Sequence, residues 1–85
     1  MSLADQFAQA QIDSKQLTER PDNMTLLKIY AVYKQGSLGD ASGERPGFTD
    51  MIGRAKWDAW HALAGTSQEV AQQQFIDLIT DLKNS

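Results

Sequence analysis

The sequence predicts an all-α fold with four helices. On both sides of one glycine-rich stretch, apolar residues recur at spacings of three and four, which is the period of an amphipathic helix. Residues whose side chains cap helices stand immediately before three of these patterns. No run alternates between apolar and polar residues over more than a few positions, so the sequence gives no strand signal.

The first predicted helix precedes Pro21 and the second follows it. The first helix is predicted to have one narrow buried stripe: Leu3, Phe7, Ala10, Ser14 and Leu17. Ser2, followed three residues later by Asp5, predicts its start. Pro21 marks the break between the two helices, and Asp22 or Asn23 is the expected cap of the second.

The second helix is apolar around most of its circumference, through Leu26, Leu27, Ile29, Tyr30, Val32 and Tyr33. Such a helix needs cover on two sides. One side belongs to the core, and the other is left to a partner, a ligand or the long loop. That loop is predicted between Gly36 and Gly53, because most of the glycines and Pro46 fall there. Within it, Glu44–Gly47 reads as a turn that folds the loop back onto the helices.

A short third helix is predicted from an apolar pattern that ends at Gly65: Ala55, Trp57, Trp60, Leu63 and Ala64. Its two tryptophans are expected to anchor it in the core. Thr66 and Glu69 have the spacing of a capping box that opens the fourth helix. The stripe of the fourth helix comprises Phe75, Leu78, Ile79 and Leu82, with Val70 and Ala71 upstream.

Length and composition predict one small domain over residues 1–85. The absence of cysteine excludes disulfides and thiolate metal sites. The net charge of −3 argues against nonspecific nucleic-acid binding, so no nucleic-acid partner is expected. An anionic ligand would need a local cluster of cations. We expect no signal peptide and no membrane span, and therefore a soluble cytoplasmic protein.

Tyr30, Tyr33 and Lys34 stand at i, i+3 and i+4, so they share one face of the second helix. Two interpretations remain open from this spacing. Both rings pack in the core while Lys34 extends to water, or a ring stacks on a base while a hydroxyl and an ammonium bind a phosphate. Lys15 and Lys56, considered singly, have the pattern of solvated side chains.

No catalytic constellation is apparent. The sequence has one histidine, His61, and no nucleophile motif or phosphate-binding glycine loop. Asp77 and Asp81 lie four residues apart on the fourth helix, which is the pattern of a solvated face and gives too few ligands for a metal. We therefore predict no catalytic residues, no metal site and no enzymatic activity.

Taken together, these segments resemble the acyl-CoA-binding protein family over nearly the whole chain. The two most specific blocks are Tyr-x-x-Tyr-Lys-Gln at Tyr30–Gln35 and Lys-Trp-Asp-Ala-Trp at Lys56–Trp60. Further matching positions are Phe7, Lys15, Pro21, Gly39, Asp40, Glu44–Gly47, Asp50, Gly53, Leu63, Gly65–Ser67 and Phe75–Leu82.

The resemblance implies a four-helix bundle in up-down-down-up order, with a long overhand loop between helices 2 and 3. It implies binding of medium- to long-chain fatty acyl-CoA without chemical change or a further cofactor, by a monomer that makes transient contact with acyl-CoA-using enzymes or membranes. Tyr30, Lys34 and Lys56 match positions that hold the ribose 3′-phosphate of CoA. Tyr33 matches the ring that stacks on adenine, and Lys15 matches a lysine that faces the bound CoA.

Two residues depart from the family pattern. Phe75 replaces a tyrosine, which keeps the ring at a ligand-binding position but removes its hydroxyl, and Ile52 replaces a common lysine. Both changes predict weaker head-group binding, with Arg54 as the candidate to compensate. The alternative function is a helical protein-docking module with little ligand affinity. An enzyme is a more distant alternative, since the family's domain also occurs fused to enoyl-CoA isomerases.

Overall fold

The computed structural model describes residues 1–84, which form four helices and no strand. The helices are α1 (Leu3–Ser14), α2 (Asn23–Leu38), α3 (Met51–His61) and α4 (Gln68–Asn84). The predicted all-α fold is confirmed. None of these four helices is both long and apolar enough to cross a membrane.

Helix α4 packs against both α1 and α2, and side-chain contacts fix the directions of these three helices. Near the start of α4, Gln72 Nε2 donates to the carbonyl oxygen of Gly36 near the end of α2, at 2.9 Å. At the end of α4, Lys83 Nζ lies 3.1 Å from Asp13 Oδ2 at the end of α1. Helix α4 is therefore antiparallel to α2 and parallel to α1.

Helix α3 packs against α2 and runs parallel to it. The indole N–H of Trp60, at the end of α3, donates to the carbonyl oxygen of Gly39, which caps the end of α2, at 2.8 Å. This completes the predicted up-down-down-up order. Arg45 returns the connecting loop to α3 through two hydrogen bonds of 2.7 and 2.6 Å to the Asp58 carboxylate. The loop therefore folds back onto the bundle as predicted, but residues 44–47 form no turn, and the turn lies at Phe48 and Thr49 instead.

The predicted starts of α1 and α2 agree with the structure. Ser2 Oγ accepts the Asp5 backbone N–H at 3.1 Å. Asp22, rather than Asn23, caps α2, since its Oδ1 accepts the Thr25 backbone N–H at 2.7 Å.

Three predicted helix termini are wrong by one to three residues. Helix α3 ends at His61, so Leu63 and Ala64 of its predicted pattern lie beyond it. Leu17 lies beyond α1, which ends at Ser14 with Lys15 as its C-cap. The capping side chain of α4 is Ser67 rather than Thr66, because Ser67 Oγ accepts the Val70 backbone N–H at 3.2 Å. Val70 itself is 50% exposed and does not belong to the buried stripe.

The predicted loop is too long, because Gly36 and Gly53 both lie inside helices. A Cβ on Gly36 would stand 3.0 Å from Gln72 Cγ and 3.2 Å from Phe7 Cζ, so the glycine permits close packing of α2 on α4 and α1. Gly53 lies in the first turn of α3, where the capping carboxylate of Asp50 occupies the space that a Cβ would need.

The core lies where α1, α2 and α4 meet and contains Phe7, Ala10, Val32, Phe75 and Ile79. The phenylalanine rings of α1 and α4 meet edge to face, with centroids 5.3 Å apart. Trp60 is buried, as predicted. Trp57 is only half-buried and stacks on His61 with 4.8 Å between ring centroids, so it anchors α3 less than expected.

Asp40 links the connecting loop to two other parts of the bundle. Its Oδ1 accepts the Gly65 backbone N–H at 3.0 Å and the Gln35 side-chain amide at 2.8 Å. These two bonds, the one from Gly65 above all, lower the pKa of the Asp40 carboxyl. The folded state therefore favours the charged form of Asp40.

We expect Asp40→Asn to flatten the acid dependence of stability. A lowered folded-state pKa gives a stabilising contribution that is complete above the unfolded pKa of about 4 and is lost as pH falls through the folded pKa. Urea midpoints measured from about pH 6 to about pH 2 should fall less steeply in the variant than in the wild type. Equal slopes would contradict the prediction. Other carboxylates with lowered pKa, such as Asp58, leave some slope in both proteins.

Candidate ligand-binding site

Residues from all four helices meet around one open groove with a volume of about 590 Å³, here called the tyrosine groove. It is lined by Gln11, Ser14, Lys15, Arg20, Leu26, Ile29, Tyr30, Tyr33, Lys56 and Phe75. Five of the six residues predicted to bind ligand therefore line a single groove. The sixth, Lys34, lies beside it.

Two ammonium groups flank the Tyr30 ring. Lys34 Nζ is 5.8 Å from the ring centroid and Lys56 Nζ is 5.4 Å from it. Lys34 Nζ also lies 5.5 Å from the ring of Trp60, which is buried at the end of α3. Two cations from different helices thus converge beside one phenol ring. A hydroxyl with two ammonium groups suits a dianionic phosphate, since all three groups can donate hydrogen bonds to its oxygens.

The Tyr33 ring packs on the core and is also partly exposed to solvent. Its ring centroid is 6.3 Å from that of Phe7 and 6.2 Å from that of Phe75, so one part of the ring packs on the core. The residue is nevertheless 37% exposed where it lines the groove. An aromatic ring that is fixed on one side and open on the other can stack a planar base.

Phe75 is the floor of the tyrosine groove and also a core residue. It lines the groove but is only 2% exposed. The phenyl ring therefore offers a ligand little surface, and its main contacts are with Phe7 and Tyr33. A tyrosine here would bring a polar group to this apolar floor.

The α1 side of the tyrosine groove contains residues that the sequence analysis missed. Gln11 and Ser14 line it next to the predicted Lys15. Ser14 and Lys15 stand three and four residues after Gln11, so helical spacing alone would have placed all three on one face. Arg20 lies in the connection between α1 and α2, where no periodic signal exists to identify it.

A second groove, here called the α2–α3 groove, has a volume of about 400 Å³. Its lining is largely apolar and comprises Arg20, Asn23, Leu26, Leu27, Met51, Ile52, Ala55 and Lys56. Arg20, Leu26 and Lys56 also line the tyrosine groove, so the two grooves adjoin. The combined surface has cations and aromatic rings at one end and aliphatic side chains at the other.

Three residues have positions that their sequence does not indicate. Met24, on the same helix as Leu26 and Leu27, is 77% exposed and lines neither groove. Arg54 was the candidate to replace a missing head-group cation. Its guanidinium instead lies 4.3 Å from the Phe48 ring centroid, and Arg54 does not line the tyrosine groove. Ile52 contributes to the wall of the α2–α3 groove.

No group of three or more histidine, cysteine, aspartate or glutamate side chains within residues 1–84 is placed to hold a metal ion. His61 stacks on Trp57 and lines neither groove. The two grooves offer a ligand cations, hydroxyls, aromatic rings and aliphatic surface.

Comparisons with known proteins agree with this geometry. A family model described as "Acyl CoA binding protein" matches residues 4–79. The acyl-CoA-binding protein homolog of Manduca sexta is 46% identical over 83 residues, covering 96% of this chain and 92% of that protein. The Drosophila melanogaster homolog is 41% identical over 80 residues, covering 94% and 93%. The crystal structure of Oryza sativa acyl-CoA-binding protein 2 matches with a TM-score of 0.92 and 33% identity, covering 96% of this chain and 89% of that one.

Proposed function

This chain belongs to the acyl-CoA-binding protein family, and on that basis we propose that it binds medium- to long-chain fatty acyl-CoA esters. It carries them as a cytoplasmic monomer, maintains a bound pool and delivers them to acyl-CoA-using enzymes or membranes. It needs no cofactor and does not transform the ester.

The observation that carries this proposal is the junction of the two grooves. The tyrosine groove has cations and rings that suit a phosphorylated nucleotide, and the α2–α3 groove has the aliphatic lining that suits a hydrocarbon chain. Because Leu26 and Lys56 line both grooves, one molecule with an anionic head and an apolar tail can occupy them together. A fatty acyl-CoA has this construction.

In this proposal, the ribose 3′-phosphate of CoA lies beside Tyr30. The Lys34 and Lys56 ammonium groups neutralise it, and the Tyr30 hydroxyl donates a further hydrogen bond. Tyr33 stacks on adenine with its exposed ring surface. Lys15, at the end of α1, faces the rest of the CoA head from across the tyrosine groove.

The acyl chain lies in the α2–α3 groove against Leu26, Leu27, Met51 and Ile52. Each methylene removed from water contributes up to about 0.8 kcal/mol. Affinity should therefore rise with chain length until the groove is filled. In this position Ile52 adds apolar contact for the acyl chain, whereas a lysine would supply a cation to the CoA head.

Isothermal titration with butyryl-, octanoyl- and palmitoyl-CoA, with free CoA as control, tests the proposed function. We expect one-to-one binding that strengthens along the series, with free CoA far weaker than palmitoyl-CoA. If free CoA bound as tightly as palmitoyl-CoA, the apolar groove would take no part in binding. If no ligand produced heat, the alternative function, a protein-docking module, would be favoured instead.

Phe75→Tyr is expected to strengthen palmitoyl-CoA binding by about 0.5–1.5 kcal/mol, the net contribution of one hydrogen bond. Residue 75 lines the tyrosine groove, so a hydroxyl there can reach the CoA head. The measurement is the dissociation constant by titration, with urea unfolding to check that the added oxygen leaves the core intact. An unchanged dissociation constant in a variant of normal stability would show that the missing hydroxyl is irrelevant to this protein.

A further inference from the structure

Three large apolar side chains stand exposed together where the connecting loop enters α3. Phe48, Met51 and Ile52, here called the apolar ridge, are 84%, 77% and 73% exposed. Single exposed apolar residues are ordinary on protein surfaces, but a contiguous group indicates an interaction surface. The ridge is contiguous, because Phe48 and Met51 border one shallow depression, and Met51 and Ile52 border the α2–α3 groove.

The turn before α3 holds the ridge in its exposed position. The Asp50 backbone N–H donates to the carbonyl oxygen of Gly47 at 3.1 Å, which closes a turn with Phe48 at its centre. Asp50 then caps α3 by accepting the Gly53 N–H at 3.0 Å. Phe48 therefore projects from a closed turn, and Met51 and Ile52 project from the first turn of a capped helix.

Basic residues predominate on helices α2 and α3, and acidic residues predominate on helices α1 and α4. Helices α2 and α3 carry Lys28, Lys34, Arg54 and Lys56 against the single carboxylate Asp58. Helices α1 and α4 carry Asp5, Asp13, Glu69, Asp77 and Asp81 against Lys83. The protein is acidic overall, with a net charge of −3, yet the pair of helices next to the ridge is basic. An anionic surface would attract this side of the bundle and repel the other.

The charges next to the ridge strengthen the match to an anionic surface. The Arg54 guanidinium lies 4.3 Å from the Phe48 ring centroid, so a cation and an apolar ring project together. The two nearby carboxylates of α3 and its cap are engaged, Asp50 with the Gly53 N–H and Asp58 with Arg45. Apolar side chains next to cations are typical of segments that enter the headgroup region of a bilayer.

We propose that the apolar ridge docks the protein on anionic phospholipid membranes. Phe48 and Met51 enter the headgroup region, and Arg54 meets lipid phosphate. This inference rests on the proposed carrier function, because Met51 and Ile52 also form one wall of the α2–α3 groove. Docking would bring the proposed acyl-chain groove against the bilayer, so the chain could pass between them with little exposure to water.

Flotation of the ligand-free protein with vesicles tests the docking. We expect more binding to phosphatidylcholine vesicles that contain phosphatidylserine than to phosphatidylcholine alone, and less binding as salt is raised. Phe48→Ser should reduce binding to the anionic vesicles by about fivefold, because serine lacks the aromatic ring that partly leaves water in the headgroup region. Val70→Ser is the matched control, because it removes an exposed apolar side chain from α4 on the acidic side. Equal losses in the two variants would overturn the proposal.

The transfer of a fluorescent long-chain acyl-CoA from the loaded protein to the anionic vesicles gives a second readout. A docked transfer predicts a rate that rises with vesicle concentration and falls about fivefold in Phe48→Ser, the same loss expected for flotation. A rate independent of vesicle concentration would mean that the ester leaves through water, and it would overturn the proposal. The proposal would also be overturned if the wild type bound none of the vesicles. The apolar ridge would then be a surface for a protein partner.

Titration of the same proteins with palmitoyl-CoA in lipid-free solution separates this inference from the proposed function. Phe48 lines neither groove, so Phe48→Ser should bind palmitoyl-CoA as the wild type does. Normal binding of palmitoyl-CoA without any response to vesicles would reject the docking alone. A wild type that does not bind palmitoyl-CoA would reject the carrier function itself.

Discussion

Replacing both lysines that flank Tyr30, as Lys34→Met with Lys56→Met, should weaken palmitoyl-CoA binding by about 3 kcal/mol, roughly 150-fold. Both ammonium groups lie within 6 Å of the Tyr30 ring centroid, at 5.8 and 5.4 Å, so both can reach a phosphate beside that ring. Hydrogen bonds to charged groups contribute about 1.5–3 kcal/mol each, and the pair need not be additive because both act on one phosphate. Isothermal titration measures the loss directly.

A ligand without the 3′-phosphate makes this prediction specific. If the two lysines act on that phosphate, 3′-dephospho-palmitoyl-CoA should bind the double variant and the wild type nearly equally. Lys28→Met controls for general charge, since Lys28 is exposed on the same helix and lines neither groove. An equal loss with both ligands would assign the lysines to another part of the CoA head. An equally large loss of affinity in Lys28→Met would mean that the lysines act through long-range electrostatic attraction and not through contact with the phosphate.

The sequence predicted the helices well and the limits of the loop poorly, for a reason visible at Gly36. Glycine is a usual loop signal because it is a poor helix former. At Gly36 tertiary packing decides instead: α4 approaches so closely that a Cβ would stand 3.0 Å from Gln72 Cγ. Nothing local in the sequence distinguishes a glycine needed for close helix packing from one needed for a turn.

The candidate site shows the same division. Tyr30, Tyr33 and Lys34 were identified because helical spacing places them on one face, and Lys56 because its block matches the family. The aliphatic wall formed by Met51 and Ile52 was missed, since the start of α3 lies within a stretch whose glycines predicted a loop. No local pattern could reveal a groove whose two walls come from helices joined by a long loop.

The core prediction with the largest expected effect concerns Phe75. Phe75→Ala should lower the free energy of unfolding by about 3–5 kcal/mol, the usual loss for a buried phenylalanine. Phe75 is 2% exposed, and its centroid lies 5.3 Å from that of Phe7, so the substitution opens a cavity between α1, α2 and α4. A domain of this length has a free energy of unfolding of about 4–13 kcal/mol, so the loss is a large fraction of the stability. Urea unfolding monitored by circular dichroism measures it.

Phe48→Ala is the matched control, because it makes the same chemical change at a ring that is 84% exposed, and it should cost less than about 1 kcal/mol. If Phe75→Ala does not fold, Phe75→Leu keeps most of the volume and gives a smaller measurable loss. Similar losses for Phe48→Ala and Phe75→Ala would contradict the position of Phe75 in the core. Because Phe75 also forms the floor of the tyrosine groove, the folded Phe75→Leu variant should gain less stability from saturating palmitoyl-CoA than the wild type does. An equal gain would assign Phe75 to the core alone.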